Sequence, residues 1–220
     1  MRRPLFRLPL LLLVLFAAPA FGDTDTVNRD IAALYVEAVL DIAPFHVMPV
    51  GPASPETGAG LWGPERRRAL DLVDAALGYN PSSSDALFLR GYLRYSDQSL
   101  TEAVAADYTS ALVLGTFSAV SPGRAEIEYA RLLHRTRQHD DALAVLAELD
   151  RDLPGFGPAL LADALALEVR AARGSGRFEE ADAALEAGQR QFSDDPRFLL
   201  LELEREPAPS FRYRRALDRL

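Results

Sequence analysis

The chain of 220 residues has no cysteine and no lysine, and only three histidines, two methionines and one tryptophan. Without cysteine there are no disulfides, thiolate metal sites, cysteine nucleophiles or lipid-modified N-terminal cysteine. All 24 basic residues are arginine, set against 32 acidic ones for a formal net charge of −8. So acidic a chain argues against general nucleic-acid or anionic-lipid binding. Sustained apolar–polar alternation, the mark of half-buried strands, is missing as well. So are a nucleophile elbow, a phosphate-cradling glycine loop and a helical HExxH.

The residues that remain for catalysis form no constellation. His46 stands alone in the Pro/Gly-rich stretch, and His134 and His139 are five apart across a predicted inter-helix turn, a spacing that does not put them on one helical face. No cysteine or acidic pair completes a metal set, so all three read as surface histidines. The acidic doublets Asp140-Asp141, Glu179-Glu180 and Asp194-Asp195 fall at helix starts or between helices, where carboxylates favour the positive end of the dipole. The chain reads as non-enzymatic, with no cofactor and no metal.

At the N-terminus Arg2, Arg3 and Arg7 precede an apolar run from Leu8 to Ala18, followed by small residues at Ala20 and Gly22. This is the layout of a secretory signal peptide over 1–22, cleaved after Gly22. The run is short for a membrane span, so a membrane enters only through this segment if it stays uncleaved. Cleavage moves the formal net charge to −11 and makes the mature protein periplasmic or secreted.

Apolar residues Val27, Ile31, Leu34, Tyr35, Ala38, Val39 and Ile42 recur at helical spacing, and Pro44 closes that helix. Residues 43–64 then carry five prolines and four glycines, which predicts a long loop. Its Phe45, Val47, Met48, Leu61 and Trp62 either pack across the first two helices or contact a partner. From Pro64 onward helical periodicity persists, predicting helices near 65–78, 84–96, 100–114, 123–137, 139–151, 157–173, 178–191, 196–205 and 211–219. Residues 206–220, after Pro207-Ala208-Pro209, read as a basic capping helix or tail.

Internal similarity is strongest in the second helix of each pair. Ala142, Leu146, Leu149 and Pro154 repeat the offsets of Ala69, Val73, Ala76 and Pro81. Ala103 with Tyr108, and Ala181 with Leu185 and Gly188, give looser copies, the first one residue too long. Over about 65–196 the pattern resembles the tetratricopeptide-repeat family, with small-residue anchors at 69, 103, 142 and 181. Two spacings of 39 exceed the family period of about 34, which requires insertions. The resemblance implies an all-α, right-handed helical-repeat solenoid of antiparallel pairs over 65–205.

In that family the first helix of each unit lines a groove that takes protein or peptide ligands. Counting back from Ala142 and Ala181 places Arg124, Ile127, Arg131, His134 and Arg135, then Asp163, Ala166, Arg170, Arg173 and Gly174, toward it. The implied partner-binding set is Arg131, His134, Arg135, Arg170 and Arg173, suited to an acidic or C-terminal peptide. Read without the family, the same arginines are the solvated face of amphipathic helices. Phe88, Tyr92 and Tyr95 form either an aromatic floor or inter-helix packing; the second leaves Arg90 and Arg94 toward water. The implied function is an exported protein–protein interaction scaffold; the other reading is an accessory module that positions a peptidoglycan- or polysaccharide-processing enzyme.

Overall fold

The computed structural model describes residues 24–42, 64–95, 97–151 and 156–205. The signal segment, the Pro/Gly-rich loop 43–63 and the basic segment 206–220 lie outside the described residues. Every regular element described is helical: α1 Thr24–Ile42, α2 Pro64–Tyr79, α3 Ser84–Arg94, α4 Thr101–Leu114, α5 Pro122–Arg135, α6 His139–Ala147, α7 Pro158–Gly174, α8 Phe178–Gln191 and α9 Pro196–Arg205. A 3-10 turn, Gln98–Leu100, leads into α4. Prolines open α2, α5, α7 and α9, at the first helical position, where an amide N–H would find no partner within the helix.

Consecutive helices pack as pairs, α1 with α2, α3 with α4, α5 with α6 and α7 with α8, and α9 follows on α7 and α8. First helices also meet directly, as α5 with α7 and α7 with α9. They are consequently covered on two sides. From α5, Ala125 and Leu132 enter the core shared with α1–α4, whereas Ile127, Ala130 and Leu133 enter the core shared with α6 and α7. From α7, Ala164, Leu167 and Ala171 face back to α5–α6, and Leu165, Val169 and Ala172 face on to α8 and α9. Each pair thus buries its apolar surface only by stacking on the next, the logic of a helical repeat.

The second helices carry the small-residue stripe. Ala69, Val73 and Ala76 are fully buried, as are Ala142 and Leu146. In α4 the stripe is Val104, Tyr108 and Ala111, and Ala103 is exposed. The anchor is therefore Val104, which restores the four- and seven-residue offsets and removes the apparent extra residue. The long spacings come from the connections after second helices: residues 80–83 join α2 to α3, but 115–121 and 148–157 join the next units. The first of these long connections is fastened by Asp85, a buried carboxylate that accepts hydrogen bonds from the Ser118, Ala119 and Val120 amides and the Ser118 hydroxyl.

Several glycines sit within helices rather than in turns, because an aromatic ring occupies the place of a side chain. A Cβ at Gly91 would meet the Tyr108 ring at 2.8 Å, and one at Gly188 would overlap the Phe198 ring. These close approaches let α3 lie on α4 and α9 lie on α8.

Candidate functional site

The first-helix face of α5 and α7 holds two of the four buried carboxylates among the described residues. Glu128 is 4% exposed and Asp163 3%. Such burial is costly unless partners surround the charge. Arg124 pairs with Glu128 one turn along α5 at 3.2 Å and with Asp163 across to α7 at 3.4 Å. Arg131 Nε lies 3.2 Å from Glu128 Oε2. Arg197, at the start of α9, donates to Asp163 and Asp195. Burial raises the Asp163 pKa, although Arg131, Arg124 and Arg197 all oppose that shift.

The five residues expected to bind a partner divide into three groups. Arg135 turns toward α3: it donates to the Tyr95 carbonyl and its guanidinium carbon lies 3.8 Å from the Tyr95 ring centroid. Arg173 turns toward α9, donating to the Leu201 carbonyl at 2.9 Å with Glu204 at 3.7 Å. Arg131, His134 and Arg170 remain together between them. For Arg131 burial opposes the charge, but Glu128 and Asp163 outweigh it and the pKa is raised. For Arg170 burial lowers the pKa, Glu204 opposes, and Arg131 and Arg173 lower it further. Among the described residues Arg170 makes no ion pair.

Donors without acceptors concentrate on this face. Arg124 Nε, Arg131 Nη2, Arg135 Nη2 and the Tyr108 hydroxyl are buried and find no hydrogen-bond partner among the described residues; the one unpartnered acceptor of α5, Glu126 Oε2, lies instead near Glu148 and Asp150. On the arginine face the unpartnered groups are donors, three of them cationic, so an acceptor of negative charge is their complement. Tyr92 borders it with a phenol pushed up to about 12, chiefly by burial and then by Glu128.

Four placements differ from the sequence-based expectation. Ile127 and Ala166, counted as groove-facing, are core residues at 0% and 2% exposure, because first helices are covered on both sides. Arg90 and Arg94 do not point to water: Arg90 grips buried Asp107 with Nε at 3.1 and 3.0 Å, and Arg94 lies 3.7 Å from the same carboxylate. Of the aromatics, Phe88 is core, its ring 5.5 Å from that of Tyr108, whereas Tyr92 and Tyr95 are half-buried at the edge of the arginine face. His46 lies outside the described residues, but His134 and His139 are not separate surface residues. His134 and His139 stand on different helices, and the α5–α6 turn brings their Nδ1 atoms to 3.1 Å. Sequence reasoning missed that pair and Arg197; the spacing of 39 between Arg124 and Asp163 was the legible signal that the two units meet through opposite charges.

No protein-family model matches the chain, and no curated protein matches it. Two solved chains share its fold: MamA from residue 41 to its end, of Desulfovibrio magneticus RS-1, and a MamA RS-1 ArsTM double mutant. Each superposes with a TM-score of 0.53 at 13% identity, covering 91% of this chain and 93% and 92% of theirs. MamA is a tetratricopeptide-like helical-repeat protein, and the likeness supports a helical-repeat fold of that kind.

Proposed function

We propose that this chain is an exported, non-catalytic scaffold that holds a protein partner on the first-helix face of α5 and α7, through an acidic stretch or a free C-terminus. What carries the reading is Arg170, a half-buried cation with no ion pair among the described residues, beside the unmet donors of Arg131 and Arg135. Around it Arg124, Arg131, Arg135, Arg170, Arg173 and Arg197 outnumber Glu128, Asp163, Asp195 and Glu204, so the face is locally cationic on a protein of formal net charge −8. Guanidinium groups bind carboxylates with paired hydrogen bonds, and desolvation strengthens them. The helical-repeat fold supplies the rigid elements such a face needs. Export is inferred from the arginines and apolar run of residues 1–22.

The test uses a rhodamine-labelled hexaglutamate peptide with a free C-terminus, and hexalysine as control, in fluorescence anisotropy. The wild type binds hexaglutamate alone, more weakly as salt rises. Arg170→Glu weakens it by about tenfold or more, the scale of a lost charge pair at a partly buried site. Equal binding by wild type and Arg170→Glu, with helicity unchanged, defeats the reading.

A further inference from the structure

The α5–α6 turn assembles two titratable groups for which the arginine face alone gives no reason. His134 ends α5, His139 opens α6, and their rings lie 4.8 Å apart with Nδ1 atoms at 3.1 Å. At that separation one Nδ1–H donates to the other Nδ1, so a single proton fits between the facing nitrogens. The pair is held in place by α7. A Cβ at Gly174 would meet the His139 ring at 2.7 Å, so any larger residue there displaces the ring.

The charges facing the pair come from every helix packed on it. From α5 comes Arg131 and from α7 Arg170, both opposing a positive imidazole. Arg135 is turned to Tyr95 at the end of α3. On α6, Asp140 is engaged by Arg177 of the α7–α8 turn at 2.7 Å, and Asp141 is exposed. From α9, Glu204 acts on Arg170. Burial first, then His139, Arg170 and Arg131, lower the His134 pKa below its ordinary value. A cation is a poor occupant beside those arginines, and among the described residues no set of three ligands gathers.

We propose that His134 and His139 belong to the ligand site and couple it to protons: an anionic group seated on Arg131 and Arg170 binds together with a proton taken up by the histidine pair. The inference rests on the arginine-face reading given above. A carboxylate there offsets the two cations that oppose imidazole protonation, so its arrival favours the charged pair. By reciprocity, a proton on the pair tightens the hold on the carboxylate. His139 contributes through its partner His134, and Gly174 through the space it leaves.

The experiment measures hexaglutamate anisotropy at about pH 8 and about pH 6, a range that imidazoles span and glutamates do not. Wild type binds several-fold tighter at the lower pH, as linkage requires of a site that takes up a proton with its ligand. In His139→Gln the ratio of the two affinities falls to about one, whatever its affinity at the higher pH. Gly174→Ala, which keeps both histidines but displaces the ring, loses the gain too. Equal wild-type affinity at both pH values, or a gain that persists in both variants, overturns the coupling and leaves the arginine face standing. If wild type and Arg170→Glu are indistinguishable at both pH values, the arginine face itself falls and the coupling falls with it.

Discussion

The pairs α5–α6 and α7–α8 turn with the same backbone hydrogen bonds. Gln138 N–H reaches the Leu133 carbonyl at 2.9 Å, and Arg177 N–H reaches that of Ala172 at 2.8 Å, each two carbonyls set 39 residues apart. Thr136 and Ser175 hydroxyls close back on Leu132 and Ala171 in the same way. What occupies this shared frame differs. Glu128 pairs with Arg131 in the first unit, but its counterpart before Arg170 is the core residue Leu167. Arg124 is matched by Asp163, so the two units bind each other, and His139, packed on Gly174, is matched by Phe178, which is 66% exposed. One backbone unit thus gives a neutralised arginine in one copy and an unneutralised one in the next. The proposed binding function rests on those substitutions and not on the fold.

The largest test of this comparison removes the charge that joins the units. Asp163→Ala leaves Arg124 with Glu128 alone and Arg197 with Asp195 alone, and should cost about 3 kcal/mol in urea unfolding. A loss below about 1 kcal/mol would mean that the pairs carry no structural weight. Next comes Glu128→Gln, which makes the first unit resemble the second. It should cost about 2 kcal/mol, as loss of charged hydrogen bonds does, while tightening hexaglutamate binding by freeing Arg131. Weaker binding would contradict the view that Glu128 competes with the ligand.

Smaller still is the turn. Arg137 has φ of +64°, whereas its counterpart Gly176 has +78°, a region that side chains resist. Arg137→Gly should stabilise by up to about 1 kcal/mol and Gly176→Arg should destabilise by a similar amount in thermal melts. Least in size is the pH effect on the unliganded protein. The fold lowers the His134 pKa by burial, so the unfolded chain binds the extra proton more readily. Stability is then full above the ordinary imidazole value of about 6.5 and declines as pH falls through the window below it. His134→Gln should flatten that decline; an unchanged slope would assign it to carboxylates.

Helix positions were legible because their causes are local: periodicity, prolines at helix starts and turn chemistry at Asn80-Pro81 and Gly174-Ser175-Gly176. The slip of one residue at Ala103 arose because size alone was used as the anchor, when α4 buries Val104 instead. Ile127 and Ala166 went to the wrong face because an amphipathic reading grants a helix one buried side, and a repeat's first helix has two. The arginines of the site were visible by counting from the anchors. The histidine pair was not: the turn between 134 and 139 is legible, but a tight turn's path, which brings the two rings face to face, is not written in the spacing.

The most direct measurement follows the arginine Nε–H resonances of the full chain by NMR as hexaglutamate is added. If the face of α5 and α7 is the interaction surface, Arg131, Arg135 and Arg170 shift together, while Arg90, already held on Asp107, stays fixed. Shifts confined to Arg90 and Arg94, or none at saturating peptide, would contradict it.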